Sequence, residues 1–550
     1  MLYAFALSNY KSFDYGESYG NHYFDMSPFD LRSKQNHINS EGLLKSAVLF
    51  GSNASGKSNL IDGLRFVKSV VTKGCLPKGS GNYYCYNHDS NLNKPISFLF
   101  QILVKTNGFL NNDVNPISIV DFGNHIVSPA RTFVNYEISL NLKDNKKGFH
   151  IVYESLDVSD GRDSVNYCKR YSEESIADVE GKISSLKYEI RDLSDRISDL
   201  QNRMGASLPS DEFNDEDNDL SFILSDSRTD VQKQLQEEIE SLRLEINSKR
   251  YALSREIAAK KTLRVDQSFL SYDPDVEDLK SGCNLNESVD INYVLAVIKA
   301  VYHWFDYTLE IIDPYGFVLP ELDTDSFVKI SEKVKDFDVN ISRIGWVDVF
   351  DESEISHVLS HIHPDDVERI LKCYHNSIRD KVESSTIVGN LSSIFKFSFW
   401  RGERSVKKLV TYHGSNIPHD LAEESDGTKR IIELLSILIN QSSDNVYVVD
   451  ELDWRLHPLL TKLFMDLFLL DSSSSSDNKQ LIITTHESRL LTTKMFRADE
   501  IWFMDRDEDG CSTLHRASEL GISFDKKLDK IYLEDGLLGG IPSIRGGLNY

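Results

Sequence analysis

The chain lacks a long apolar run, and this absence narrows what it does. No stretch of about 18 or more apolar residues occurs among its 550 residues, so a membrane-spanning helix is not expected. The amino terminus has neither a basic leader nor a small-residue cleavage site, which argues against a signal peptide. We therefore expect a cytoplasmic protein with no membrane contact.

Patterned cysteines and an excess of basic charge are also missing. The six cysteines form no C-x-x-C pair, which suits a reducing compartment better than a disulfide framework. The formal net charge is -25, and so strong an acidic balance argues against general nucleic-acid binding. Contact with DNA or RNA would then need a local basic patch or a partner protein.

A phosphate-binding motif is the clearest feature that is present. In FGSNASGKSNL (50–60), a glycine-rich loop fits G-x-x-x-x-G-K-[ST], with an apolar run before it and helical spacing after it. Lys57 should reach the β- and γ-phosphates, and Ser58 should place its hydroxyl on Mg²⁺. The predicted nucleotide-binding residues are Gly51, Ser52, Asn53, Ala54, Ser55, Gly56, Lys57, Ser58 and Asn59. The motif predicts ATP and Mg²⁺ as cofactors.

An acidic pair follows a second apolar run. NVYVVDELDWRLHP (445–458) predicts a buried strand that ends in Asp450 and Glu451. An acid at such a strand end can hold Mg²⁺, and the next acid can polarise the attacking water as a general base. A solvated acidic pair after a core strand is the alternative interpretation.

A third strand is predicted from QLIITTHESRLL (480–491), which places His486 just beyond its end. If this strand lies parallel to the one before Asp450, then His486 can hydrogen-bond the γ-phosphate. A lone histidine is more often structural, but its position after the acidic pair favours the functional interpretation.

Between the phosphate loop and the acidic pair lies a second helix start. LAEESDGTKRIIELLSILI (421–439) places Ser425, Gly427 and Thr428 before an apolar helical face. A serine and a glycine at a helix amino terminus form an anion site. Taken alone, the stretch predicts only an N-cap.

The order of these motifs resembles the ATP-binding cassette type of ATPase. In that superfamily two nucleotide-binding domains sandwich ATP, and the resemblance implies a homodimer or higher even oligomer. Ser425 and Gly427 would then act on ATP in trans, and Asp453 would lie in the loop that crosses the dimer interface. Gln101 could be the glutamine that senses Mg²⁺, although an ordinary strand residue is at least as good an interpretation.

Seven segments in order, from LSNYKSF through ESDGTKR to YLEDGLLGGIP, resemble bacterial AAA-type ATPases of the overcoming-lysogenization-defect, RecF and SMC group. The family tail usually carries an arginine that is missing at Leu537 and Leu538, so its role is in doubt here. About 65 residues follow His486, too few for the nuclease domain that some members carry.

Within this group the chain is most similar to PtuA-type ATPases of Septu and retron-associated anti-phage defence systems. That resemblance implies a separate HNH nuclease (PtuB-like) as partner, with a reverse transcriptase and its RNA–DNA product as further candidates. Nucleic acid would then be reached through partners. Two alternatives stay open: a RecF-like DNA-repair or chromosome-maintenance ATPase that binds DNA directly, and a scaffold that holds ATP without hydrolysing it.

An inserted hairpin is predicted from a heptad pattern. Apolar residues alternate by three and four from Ile176 to Met204 and return from Leu235 to Leu253, as in a coiled-coil seam. The acidic segment 205–230 between them would form the tip. Arms of about 29 residues would reach roughly 45 Å; two ordinary amphipathic helices packed on the body are the alternative.

These observations predict an α/β fold: an ABC-type P-loop ATPase head, in which a mixed sheet with helices lies beside an antiparallel β layer, with the coiled-coil hairpin inserted. The predicted domains are an amino-terminal lobe (1–172), the insertion (173–262), a middle α/β part (263–410) and a carboxyl-terminal lobe (411–550).

Two further signals are given less weight. DRDEDG (505–510) lacks the glutamate of a calcium-binding EF-hand, so a hairpin turn is expected there. A metal site built from His357, His361, Cys373 and His375 is not expected, because Pro364 breaks the helical spacing.

Overall fold

The structure is a computed structural model of the whole chain. It describes residues 1–15, 19, 22–31, 33–77, 83–85, 94–107, 109, 121–122, 125–126, 131–142, 148–159, 164–171, 173–206, 239, 241–242, 245–246, 249, 268, 270, 291–314, 324–337, 340–351, 353, 355–356, 359, 364–379, 381–389, 393–401, 403–440, 444–471, 478–492, 495–507, 509–520 and 532. The chain divides into two compact units, one formed by 1–104 with 300–550 and the other by 105–299. The predicted boundaries at 172, 262 and 410 stay a prediction.

Nineteen strands and seven α-helices have both ends within the described residues. The strands are β1 (Leu2–Ser8), β2 (Tyr23–Asp25), β3 (Ser46–Phe50), β4 (Ile96–Val104), β5 (Asp121–Phe122), β6 (His125–Ile126), β7 (Thr132–Leu142), β8 (Phe149–Ser159), β9 (Ser164–Tyr171), β10 (Leu309–Ile312), β11 (Arg343–Asp348), β12 (Ser384–Gly389), β13 (Ile394–Trp400), β14 (Glu403–Tyr412), β15 (His419–Asp420), β16 (Val446–Val449), β17 (Gln480–Thr484), β18 (Ile501–Arg506) and β19 (Ser512–Arg516). The helices are α1 (Lys57–Lys73), α2 (Glu173–Ala206), α3 (Ile291–His303), α4 (Thr324–Lys333), α5 (Pro364–Arg379), α6 (Asp426–Ile439) and α7 (Pro458–Asp471). None of these helices combines the length and apolar character that a membrane span requires.

A six-stranded sheet in the first unit carries the predicted nucleotide motifs. Its order is β10-β16-β17-β3-β18-β19, and every neighbouring pair except β18 and β19 is parallel. Strands β3, β16 and β17 are buried along their whole length, as expected for parallel strands covered on both faces. The predicted strands 46–50 and 446–449 and the predicted hairpin at 505–510 are confirmed.

Helix α6 packs into the same core as this sheet. Its apolar residues Ile431, Leu434 and Leu435 are buried in one cluster with strand residues such as Val449 and Ile483. Since the helix starts at the predicted 425–428 turn, this packing fixes the turn relative to the sheet. The helix predicted to follow the 425–428 turn is confirmed, and it begins at Asp426.

Two antiparallel sheets complete the first unit. One has the order β2-β1-β4, with alternating burial along β4. The other runs β11-β14-β13-β12, with β15 paired to β14, and its apolar face packs in a cluster with α5 residues such as Ile370.

The second unit contains the antiparallel strands β7, β8 and β9 and the long helix α2. Leu193 and Leu200 of α2 are buried against Ile239, Leu242 and Ile246, which are also helical. The contact joins the two predicted heptad runs, but the coiled-coil hairpin itself stays a prediction. Residues 207–230 of its predicted tip lie outside the described part of the chain.

Candidate functional site

The phosphate loop connects β3 to α1. Gly56 caps the helix with φ 113°, a left-handed conformation that favours glycine. A Cβ on Gly51 would lie 2.4 Å from the Met504 carbonyl oxygen, and one on Gly56 would lie 2.1 Å from Ser512 Oγ. A side chain at either glycine would therefore clash with another segment of the same chain, which contains Met504 and Ser512.

Contacts from two remote segments support this loop. Ser512 Oγ donates to the Ser55 carbonyl oxygen at 2.6 Å and lies 2.7 Å from Ser12 Oγ. Ser12 Oγ accepts from Asn59 Nδ2 at 2.8 Å, and Arg506 Nε donates to the Ala54 carbonyl at 2.7 Å. Sequence reasoning missed Ser12, Arg506 and Ser512, because their role depends on contacts between residues more than 40 positions apart.

Lys57 is buried beneath the loop. Its Nζ donates to the carbonyl oxygens of Gly51 at 2.6 Å and of Ser52 at 3.0 Å. Burial lowers the pKa of Lys57 to about 8, and the charges of Asp450, Glu451 and Asp453 act in the opposite direction. The ammonium is thus desolvated and faces three acids, a position where a polyanion could bind.

The two acids of the second motif lie at the carboxyl end of β16. Thr484 Oγ1 on the adjacent β17 donates to Asp450 Oδ1 at 2.6 Å and accepts from the Glu451 N–H at 2.8 Å. Asp450 is buried, whereas Glu451 is partly exposed. One threonine therefore positions both acids.

Glu451 combines an unusual backbone with an unusual carboxyl group. Its φ is 48°, a left-handed conformation that is uncommon outside glycine and asparagine. Burial raises the pKa of the Glu451 carboxyl, and Asp450 and Asp453 raise it further. A carboxylate with a raised pKa is suited to accept a proton from water.

His486 is held by the loop that follows the acids. Its backbone N–H donates to Asp453 Oδ1 at 3.2 Å, and its side chain is exposed. Partial desolvation lowers the pKa of His486, and the Lys57 charge lowers it further. Both effects favour the neutral ring, and His486 lies close enough to Lys57 for the Lys57 charge to act on it.

A buried ion pair, which the sequence analysis did not predict, contacts the backbone of Asp450 and Glu451. Arg430 on α6 pairs with Glu433 at 2.7 Å, and both side chains are almost fully buried. The other guanidinium nitrogen donates to the carbonyl oxygens of Asp450 at 3.2 Å and Glu451 at 3.4 Å. The spacing i, i+3 in TKRIIE was an available signal, but an exposed pair has the same spacing.

The 425–428 turn caps helix α6. Ser425 Oγ accepts from the Thr428 N–H at 3.1 Å and lies 2.8 Å from Thr428 Oγ1. Ser425 is exposed. A Cβ on Gly427 would lie 2.8 Å from the Arg455 carbonyl oxygen, and Arg455 also forms an ion pair with Asp426. The turn and the loop after Glu451 are therefore joined directly.

Gln101 lies on β4 and its side chain accepts from the Tyr23 hydroxyl. Its predicted role toward Mg²⁺ stays a prediction. The histidines at 357 and 361, and Leu537 and Leu538 of the tail, lie outside the described residues.

Comparison with known proteins gives one family match. Residues 355–492 match the family model described as "AAA domain, putative AbiEii toxin, Type IV TA system". Over this range the chain is similar to an AAA-type ATPase domain. The match includes the 425–428 turn, both acids and His486, while the phosphate loop lies outside it.

Comparisons with curated proteins and with solved structures do not identify a function. No curated protein matches the chain. Among solved structures, the chain is similar to the SMC head bound to the C-winged helix domain of ScpA, at 11% identity and a TM-score of 0.32, covering 94% of this chain and 97% of that one. A likeness this loose carries no argument about function.

The residues present fit ATP and Mg²⁺. The Ser55 hydroxyl is buried without a hydrogen-bond partner in the described part of the chain, and Ser58 is exposed at the start of α1. The helix amino terminus favours negative charge. Lys57, Ser58 and the loop N–H groups would hold the phosphates, and Ser58 with Asp450 would hold the metal.

Proposed function

We propose that this chain hydrolyses ATP with Mg²⁺. The observation that supports this most directly is the meeting of Lys57 with Asp450, Glu451 and His486 at one end of the sheet, where each charge shifts the pKa of another. Perturbed groups that converge beside a phosphate loop are typical of a catalytic site.

Each side chain has a role in this proposal. Bound ATP·Mg²⁺ supplies the phosphoanhydride bond that is cleaved. Lys57 neutralises charge on the phosphates, Asp450 holds the metal, and Glu451 takes a proton from the attacking water. His486, held by Asp453, orients the γ-phosphate as a neutral donor.

Replacing Glu451 by Gln tests the catalytic role. We expect ATP turnover to fall by at least about 100-fold while ATP binding is kept, because the amide cannot accept the proton. Glu487→Gln is the matched control, since Glu487 lies just beyond β17 and its side chain accepts from the Arg489 N–H. Equal turnover in Glu451→Gln and wild type would contradict the proposal, and so would a wild type that binds ATP without turnover.

We further propose that two copies meet around ATP, with Ser425 and Gly427 of one facing the phosphate loop of the other. The exposure of Ser425 at the start of a rigidly packed helix supports this arrangement. The catalytically slow Glu451→Gln protein should then form dimers on adding ATP, as measured by light scattering. Ser425→Arg in that background should prevent dimers, whereas Ser415→Arg, at another exposed serine, should not. If Glu451→Gln binds ATP but stays monomeric, the dimer proposal is contradicted, while the ATPase proposal still stands.

The biological proposal is an ATPase subunit of an anti-phage defence complex that controls a separate HNH nuclease. The motif order and the burial of α2 against the 239–246 segment support arms that could report the nucleotide state to partners. Co-expression with an HNH nuclease encoded by an adjacent gene tests this. We expect the nuclease and this chain to co-purify as a stable complex. Tight binding of DNA by the isolated chain would instead favour the RecF-like alternative.

A further inference from the structure

Three side chains that can bind metal converge outside the ATP site. A carboxylate oxygen of Asp14 and the Sγ atoms of Cys85 and Cys511 all lie within 4.8 Å of one another. Both cysteines are 1% exposed, and neither takes part in a disulfide. Among the described residues this is the one such group of His, Cys, Asp or Glu. The six cysteines show no pairing in the sequence, so only the fold brings these two together.

Backbone hydrogen bonds fix the three segments that carry these side chains. The Asn9 N–H donates to the Asp14 carbonyl at 3.0 Å, and Asn9 Oδ1 accepts from the Cys85 N–H at 3.3 Å. The Cys511 N–H donates to Asp507 Oδ1 at 2.7 Å, and the Asp507 N–H donates to the Cys511 carbonyl at 2.9 Å. These hydrogen bonds hold the three segments close together.

The chemistry of the three side chains suits a cation. A second carboxylate, Asp507, is held beside Cys511 by its hydrogen bond to the Cys511 N–H. Two sulfur atoms and a carboxylate oxygen are ligands that zinc accepts, and metal binding releases the protons of the thiols.

We propose that Asp14, Cys85 and Cys511 bind one divalent ion of the zinc class, with water in the fourth position. Zinc takes sulfur ligands at about 2.3 Å and carboxylate ligands at about 2.0–2.2 Å, so ligand atoms on one tetrahedral ion lie roughly 3.5–4 Å apart. Metal binding would have to draw these atoms, which lie within 4.8 Å of one another, into that range through side-chain rotation. Two thiolates select zinc over magnesium and calcium.

The site adjoins the support of the phosphate loop. Cys511 precedes Ser512, which donates to the Ser55 carbonyl, and Asp14 lies two residues after Ser12, which contacts Ser512. Bound metal would restrain both segments. The metal site does not depend on the proposed ATPase function, but its effect on ATP affinity does.

Zinc content of the full-length chain tests the proposal. Protein purified under reducing conditions, stripped with a chelator and dialysed against limiting zinc should retain about one ion per chain, measured by elemental mass spectrometry. Cys85→Ser and Cys511→Ser should lower zinc affinity by more than about tenfold, the smallest loss expected when a group that only hydrogen-bonds to a ligand is removed. Cys75→Ser and Cys373→Ser, outside the cluster, are the matched controls and should bind as wild type does.

A second measurement uses only the wild type, in case the serine variants fold poorly. Cobalt added to the stripped protein should give a thiolate-to-cobalt charge-transfer band that zinc abolishes. Cobalt bound without this band would overturn the proposal, as would equal zinc affinity in the cluster variants and the controls. A Cys85–Cys511 disulfide in protein isolated without oxidant would also overturn it and identify a redox pair. Reduced ATP affinity after zinc removal is expected only if the ATP proposal also holds.

Discussion

The two ends of the parallel sheet both carry charged side chains, but they differ in how those charges are paired. At the amino end, Glu500 accepts from His37 Nδ1 at 2.8 Å and from the Arg497 N–H at 2.6 Å. At the carboxyl end, Asp450 and Glu451 lie near Lys57, yet in the described part of the chain no ion pair joins them to it.

The difference supports our proposal that the charges at the carboxyl end serve function, whereas those at the amino end serve structure. A buried group whose partners are all supplied by the protein is stabilised in one state and has little left to offer a ligand. The carboxyl end keeps like charges together, holds Glu451 at φ 48° and raises the pKa of its carboxyl group. Such unresolved strain and charge are expected where a ligand completes the site.

The largest effect is expected at the carboxyl end, from Lys57→Met. ATP affinity or turnover should fall by at least about 100-fold, because the phosphates lose their buried cation. Lys68→Met is the matched control. Lys68 lies on the same helix, and burial also lowers its pKa to about 8, but its Nζ donates to the carbonyl oxygens of Asp306 and Leu309. Equal loss of turnover per folded molecule in the two variants would contradict the proposed role of Lys57 in binding the phosphates.

The Arg430–Glu433 pair lies beneath the carboxyl end. Substitutions in this pair test whether Arg430 positions the two acids or only stabilises the fold. Arg430→Met alone should destabilise the fold by about 3–5 kcal/mol, since it leaves Glu433 buried without a partner. The double variant Arg430→Met with Glu433→Met should recover most of that loss in denaturant unfolding. Its turnover should stay about 10- to 100-fold below wild type, because the carbonyls of Asp450 and Glu451 lose their donor.

If the double variant regains turnover together with stability, then Arg430 is only structural. The KM for ATP gives an independent measurement. Loss of a positioning residue should lower kcat with little change in KM, whereas a distorted phosphate loop should raise KM.

The sequence predicts the elements of the carboxyl end well, because each motif is local. The strand before Asp450, the helix after Lys57 and the cap at Ser425 follow from spacing and residue type, and all are confirmed as elements. Their meeting could be anticipated only because carboxyl ends of parallel strands share one edge of a sheet. Which side chain supplies each contact, as with Thr484 between the two acids, depends on register and could not be predicted.

Contacts between distant segments were not predictable at all. Ser12 and Ser512 are 500 positions apart and meet behind the phosphate loop, and the amino-end pair of His37 and Glu500 is separated by 463 positions. The sheet β11-β14-β13-β12 was not predicted either. Its strand β13 alternates apolar and polar residues, but β11 does not, and its residues are mostly partly exposed.

Glu500→Gln at the amino end should have the opposite profile to Lys57→Met. We expect a loss of about 1–3 kcal/mol in the free energy of unfolding, because the amide places an NH2 group where Glu500 Oε1 accepts from the buried Ser46 hydroxyl at 2.7 Å. The kcat and KM of the folded fraction should not change. Glu383→Gln, at an exposed position, should stay within about 0.5 kcal/mol of wild type. A selective loss of ATP affinity in Glu500→Gln would show that this end also serves the site.

The smallest effect is a fractional proton taken up when ATP binds. Without nucleotide the pKa of Lys57 is about 8, so at pH 8 roughly half of the molecules hold it neutral. The triphosphate favours the charged form and raises this pKa. ATP binding at pH 8 should therefore take up about half a proton more than at pH 6.5, where Lys57 is already charged. Calorimetry in buffers of different ionisation enthalpy measures this uptake. Lys57→Arg, which stays charged throughout, should abolish the difference between the two pH values, and its persistence in that variant would assign the proton to another group.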